Sequence, residues 1–206
     1  MQITIEPGQE QKLLADLFAR YGVIEKYRRG ESIFREDDPY RGIFLVLQGS
    51  LKWYRKGATG DEGVLKIYVP GEIAGLPPLF DKEPKKYYVA HLIALTDCRV
   101  SCWSDSRLHT LMKRQPELLY LLNQHYCATL KDLIDQTASM SLKSVPDRLL
   151  DFLKKLGGDG NWMQLPFKKK QLAAILNTSP ESISRSLKAL ESEGKLAVDS
   201  KKFKVL

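Results

Sequence analysis

The chain has 206 residues, 43% of them hydrophobic and 28% charged, with a formal net charge of +7. That is enough apolar content for one or two packed domains, and it excludes a disordered, collagen-like or disulfide-scaffold chain. The charge is unevenly placed: from Ser141 onward there are 13 Lys and Arg against 7 Asp and Glu, whereas the preceding 140 residues are nearly neutral. A basic last third is the footprint of a segment that meets a polyanion. No secretory signal pattern and no membrane-spanning apolar run is present. Three cysteines, Cys98, Cys102 and Cys127, make neither a disulfide framework nor a CxxC site, and predict a reducing, cytoplasmic setting.

In chain order, Leu13 to Phe18 reads as a short amphipathic helix. Between Val23 and Trp103 the pattern changes to short apolar or alternating runs separated by glycines, among them Ile43–Leu47, Leu51–Tyr54, Val64–Val69, Tyr87–Leu95 and Cys98–Trp103. Many short strands with glycine turns predict a small antiparallel barrel or sandwich.

Ser106 to Met112 predicts a short helix, and Pro116 opens a long one to about Ser139. Leu119, Leu122, Tyr126, Thr129, Leu133, Gln136 and Met140 step by three and four residues as an a/d seam. A second apolar set, Leu118, Leu121, Leu130 and Ile134, faces elsewhere, towards the strands. A helix apolar on two sides needs two partners, so the seam predicts a parallel homodimer. Ser139 to Ser144 reads as a hinge and Val145 to Leu156 as another amphipathic helix. A glycine-rich loop and a short strand at Trp162–Leu165 follow.

Phe167 to Lys188 carries the most specific pattern. Leu172, Ala173, Ile175 and Leu176 give one helix an apolar face, and Asn177-Thr178 breaks it. Ser179 is suited to an N-cap and Pro180 to the first helical position. Ile183, Leu187 and Leu190 bury one side of a second helix, leaving Glu181, Ser182, Ser184, Arg185 and Lys188 on the other. Gly194 ends it, and Leu196–Val198 with Phe203–Leu206 read as a β wing. Two short helices around a tight turn, the second with a polar Arg-bearing face, fit a helix-turn-helix.

In this order, Gly42-Ile43-Phe44-Leu45-Val46-Leu47-Gln48-Gly49, Pro70-Gly71-Glu72-Ile73-Ala74-Gly75 with Leu79-Phe80, and Glu181-Ser182-Ile183-Ser184-Arg185 resemble the catabolite-activator/FNR family of bacterial transcription regulators over nearly the whole chain. The resemblance implies an α+β fold. Its parts would be a cyclic-nucleotide-binding-like β-roll that senses an effector (1–115), a long dimerisation helix (116–140) and a winged helix-turn-helix that binds DNA (141–206). It also implies palindromic double-stranded DNA and RNA polymerase as partners, no membrane, and an effector that re-poses the DNA-binding domains about the hinge. Glu-x-x-Ser-Arg looks like the FNR branch, which implies TTGA-like half-sites. Arg185 can donate twice to guanine, Glu181 can accept from a cytosine amino group, and Ser182 and Ser184 can pair with either kind of edge. Lys168, Lys169, Lys170, Ser179, Lys188, Lys201 and Lys202 are the phosphate-contact candidates. The family begins its first helix with Ser or Thr, where this chain has Lys168, which cannot cap it.

The expected effector pocket comprises Gly71, Glu72, Leu76, Lys85, Lys86, Tyr87, Tyr88, Tyr126 and Leu130. Family members that bind cyclic nucleotide carry a Glu shortly after the glycine pair and an Arg-Ser pair a few residues later. Here Leu76-Pro77-Pro78 and Pro84 to Tyr88 stand instead, so cAMP loses its ribose acceptor and its phosphate donor. Two lysines and several tyrosines suit an anionic or phenolic effector. Three cysteines are too few for an iron–sulfur cluster within one chain. Haem stays open, with His91 or His125 as axial ligand, as do a thiol switch and an unliganded regulator. A binding module acting through protein contacts is the alternative class. No nucleophile–base arrangement, metal-ligand spacing or phosphate loop suggests an enzyme.

Overall fold

The computed structural model describes residues 10–58, 60, 62–154, 156, 160–164, 169–199 and 202–206. The chain divides into two compact units, residues 1–55 with 65–132 and residues 56–64 with 133–206.

The first unit begins with helix α1 (Glu10–Tyr21) and continues through strands β1 (Val23–Tyr27), β2 (Ser32–Phe34), β3 (Gly42–Gln48) and β4 (Leu51–Lys56). Then come β5 (Glu62–Tyr68), β6 (Ile73–Ala74), a 3-10 turn (Pro77–Phe80), β7 (His91–Ala94) and β8 (Cys98–Ser104). The strands form two four-stranded sheets, ordered β1-β8-β3-β6 and β2-β7-β4-β5. This is the expected β-roll. The run Tyr87–Leu95 is a strand only over His91–Ala94, because Tyr87 makes a single bridge to Pro39 and Val89 is exposed.

Aromatic stacking fixes the interior. Phe18 of α1 lies on Trp103 of β8 with ring centres 3.9 Å apart, and Phe34 stacks on Tyr88 at 3.6 Å. The buried Tyr88 hydroxyl donates to Gly42 O (2.8 Å) and accepts from Gly42 N–H (3.2 Å). Gly42 has φ +141°, and a Cβ there would come 1.8 Å from Trp103 O, so no side chain fits.

Helix α2 (Asp105–Arg114) starts one residue before the expected Ser106, because the Ser104 hydroxyl accepts from Arg107 N–H and caps it. The long helix α3 (Glu117–Leu142) follows. Leu118, Leu121 and Leu122 are all buried, in one cluster with Leu14, Phe18, Ile43 and Trp103. This corrects the seam: Leu122 belongs to the subunit's own core. Leu130 and Ile134, expected inside, are 50% and 59% exposed. The exposed apolar stripe is Leu119, Tyr126, Leu130 and Ile134, rotated from the predicted one. The reason is geometric: residues at i, i+3 and i+4 share a helix face, so burying Leu118, Leu121 and Leu122 turns Leu130 and Ile134 outward. Thr129, Leu133 and Gln136 are half-buried, and Met140 is exposed.

In the second unit, the Gln136 amide donates to Val64 O (3.1 Å). Helix α3 runs on to Leu142, so of the stretch read as a hinge only Lys143-Ser144 lies outside a helix. Ser144 caps helix α4 (Val145–Leu153). Strand β9 (Met163–Gln164), helices α5 (Lys169–Ile175) and α6 (Pro180–Ser192), and strands β10 (Leu196–Asp199) and β11 (Lys202–Val205) complete it. The wing is a three-stranded antiparallel sheet in the order β10-β11-β9. Leu149, Leu153, Leu172, Ala173, Ile183, Leu190, Leu196 and Val205 form its core.

Candidate DNA interface and sensor site

The turn between α5 and α6 is closed by backbone chemistry that its residues dictate. Asn177 takes φ +46°, its N–H bonds to Ala174 O (3.2 Å), and Thr178 N–H bonds to Ala173 O (2.9 Å). This is a Schellman closure, in which a short polar side chain tolerates the left-handed residue. Ser179 then caps α6 by accepting from Ser182 N–H (3.1 Å), with Pro180 in the first turn. At the far end Gly194 (φ +68°) allows Lys195 N–H to reach Leu190 O. Both ends of α6 are therefore fixed.

Ile183 and Leu190 of α6 are buried, Leu187 is half-buried, and Ser186, unflagged by the sequence, is also buried. Glu181, Arg185 and Lys188 are exposed, and Ser182 and Ser184 are half-buried. The Arg185 guanidinium donates to Ser182 Oγ (3.3 Å). Hydrogen bonding from its own backbone N–H and from Ser179, with the Arg185 charge nearby, holds the Glu181 carboxyl below its ordinary range. Ser184 Oγ donates to Pro180 O (3.0 Å) and accepts from Lys169 Nζ (3.3 Å). Lys169, Lys170, Ser179 and Lys202 are exposed. Lys168 and Lys201 lie outside the described residues, as does the question of how α5 is capped.

The expected effector residues do not form one site. Leu76 and Tyr88 are core residues. The Lys86 ammonium donates to Leu79 O (3.1 Å), faces Asp105 (3.5 Å) and lies over the Tyr40 ring, so it is not offered to a ligand. Lys85 and Tyr87 line a surface recess with Asp37, Asp81, Glu83, Pro84, Tyr88 and Val89. Three carboxylates to one lysine reverse the anion-binding character read from the sequence. Tyr126 meets Phe80 edge-on at 6.1 Å, and Leu130 is exposed.

Gly71 and Glu72 sit instead beside a cluster the sequence did not reveal. Lys66 of β5, its side chain only 9% exposed, lies 3.0 Å from Glu72 and also pairs with Asp132 of α3. Burial alone would lower the Lys66 pKa, but the Asp132 and Glu72 carboxylates reverse this and hold it above its ordinary value. Glu72 accepts from Val69 N–H as well (2.8 Å). His125 is held below the usual histidine value by burial, with Glu72 and Lys66 acting on it in opposite directions.

His91 does not suit the role of a haem ligand, because both ring nitrogens face Glu36. Nδ1 accepts from Glu36 N–H (3.2 Å) and Nε2 stands 3.8 Å from the Glu36 carboxylate. Among the described residues no group of three or more His, Cys, Asp or Glu is placed to hold a metal ion. Burial raises the Cys98 and Cys102 thiols to about 11, while Cys127 is exposed on α3. Thiols held that high carry little thiolate near neutrality and make poor redox sensors. Among the described residues no helix is long and apolar enough to cross a membrane.

Comparison with known proteins agrees with this geometry. A family model of the cyclic nucleotide-binding domain matches residues 24–115, and one of the Crp-like helix-turn-helix domain matches residues 147–206. The transcriptional activator protein FnrA of Stutzerimonas stutzeri is 24% identical over 205 residues, covering 96% of this chain and 81% of that protein. The cyclic AMP receptor protein of Thermus thermophilus is 27% identical over 179 residues, covering 87% and 82%. Among solved structures, the c-di-GMP-responsive regulator CLP of Xanthomonas campestris superposes with a TM-score of 0.77 at 22% identity, covering 94% of this chain and 98% of that one.

Proposed function

We propose that this chain, which belongs to the catabolite-activator/FNR family of bacterial transcription regulators, binds palindromic double-stranded DNA as a cytoplasmic homodimer and reads TTGA-like half-sites with helix α6. The observation that carries this reading is the exposed face of α6, where a capped N-terminus presents Glu181, Ser182 and Arg185 together. Arg185 is the guanine reader and Glu181, held ionised, the cytosine acceptor. Lys170, Ser179, Lys188 and Lys202 supply phosphate contacts that position without reading sequence.

The exposed stripe of Leu119, Tyr126, Leu130 and Ile134 on α3 is the dimer surface. A two-fold dimer would set its two α6 helices about 34 Å apart, one turn of DNA. Residues 1–115 sense the effector, 116–140 dimerise and 141–206 bind DNA. RNA polymerase is the protein partner, and the chain has no catalytic role.

The effector is not cAMP. Glu72 is committed to Lys66 and to Val69 N–H, and residues 76–78 and 84–88 offer neither a carboxylate for ribose nor an arginine for the cyclic phosphate. The recess at Asp37, Asp81, Glu83, Lys85 and Tyr87 disfavours an anionic effector there and favours a phenolic or cationic small molecule, with haem on His125 as the alternative. Fluorescence anisotropy on a TTGA palindrome and on a scrambled duplex, at two salt concentrations, tests the reading. Specific affinity should exceed non-specific affinity at least about a thousandfold. Equal binding to both duplexes, or none to either, would contradict it.

A further inference from the structure

Lys169 reads as a phosphate contact from sequence, because it belongs to a run of three lysines at the start of α5. Its ammonium is directed elsewhere. Lys169 Nζ donates to Ser184 Oγ at 3.3 Å. Ser184 lies three residues from Glu181 on α6, so this bond brings the ammonium beside the first turn of the helix that carries the base-reading residues.

The hydroxyl that holds it has one proton, and that proton is spent on Pro180 O at 3.0 Å. Ser184 therefore cannot donate to a base while this bond stands, and one of its lone pairs serves Lys169. A lysine keeps two further donors when one is engaged, and its long stem lets them move to a guanine O6 or N7.

We propose that Lys169 is a specificity-determining residue that donates to a guanine edge beside the base pair read by Arg185, and that Ser184 is its positioning residue. This rests on α6 being the helix that reads DNA. It adds a base contact from α5, which the family resemblance and the sequence pattern do not supply.

The test is binding-site selection from a duplex library randomised around the TTGA palindrome, using the full chain and its Lys169→Ala, Lys169→Arg, Ser184→Ala and Arg185→Ala variants. Far-UV circular dichroism checks that each is folded. Lys169→Ala should relax preference at one base pair by at least about fivefold, leave the Arg185 position intact and keep the preference of every other position. Lys169→Arg should retain a guanine at that base pair, and Ser184→Ala should weaken it in part. A uniform loss over all sequences, with the salt slope reduced by about one counterion, would make Lys169 a phosphate contact and overturn the proposal. An unaltered Lys169 position in Ser184→Ala would overturn the positioning role. Unchanged preferences in Arg185→Ala would instead overturn the reading of α6 itself, whatever Lys169 does.

Discussion

The Lys66 ammonium lies 3.0 Å from Glu72 and is shared with Asp132 of helix α3, so one nearly buried cation ties β5 and the turn before β6 to the long helix. Lys66→Met should lower unfolding stability by about 1–3 kcal/mol, since two carboxylates lose their partner while remaining partly solvated. Chemical denaturation measures it. Because the Lys66 pKa is raised in the folded chain, its contribution is complete below the unfolded value of about 10.5. It is lost as pH rises beyond that value, so wild type and Lys66→Met should converge only at strongly alkaline pH.

His125 titrates with the opposite sign. Its folded pKa lies below the ordinary 6.5, so its stabilising contribution is present above 6.5 and is lost as pH falls through the folded value. The unfolded chain takes the proton first. Thermal unfolding of wild type should therefore fall more steeply between pH 6.5 and 5 than that of His125→Gln.

Two leucines on α3 separate the proposed dimer surface from the core of the first unit. Leu130→Lys should leave secondary structure unchanged and produce monomers in sedimentation, because Leu130 is half-exposed. Leu122→Ala should instead cost about 2–5 kcal/mol of stability, as expected for truncating a fully buried leucine. If Leu122→Ala dissociated dimers without loss of stability, the observed rotation of the seam would be contradicted.

The Ser179 cap links stability to recognition. Ser179→Ala removes the acceptor for Ser182 N–H and should destabilise the second unit by about 1 kcal/mol. It should also weaken binding to specific DNA, since Arg185 donates to Ser182 in the same first turn. Ser179→Asp should restore most of the stability.

Where the sequence was legible, the deciding chemistry was local. Asn177, Ser179-Pro180 and Gly194 fix the turn and the two ends of α6 within a few residues of themselves, so the turn and the second helix could be placed closely. The β-roll was readable as a succession of short strands with turn glycines, although its pairing was not. The surroundings of the expected effector residues were not readable, because their electrostatics join residues far apart. Lys66 finds Asp132 across 66 positions, and Lys86 finds Asp105 across 19. Composition showed lysines and tyrosines, whereas the fold pairs Lys86 with Asp105 and gathers three carboxylates beside Lys85 at the recess. The two apolar faces of α3 were both visible, but which of them meets the core depends on the elements that pack there.

Arg185 is the proposed guanine reader of α6. Its specificity ratio, the affinity for a TTGA palindrome over that for a duplex with the guanine pair inverted, should be compared between wild type and Arg185→Ala at fixed salt. Discrimination at that pair should fall by about 1–3 kcal/mol, with non-specific binding reduced much less. An unchanged ratio in a folded Arg185→Ala protein would contradict this role.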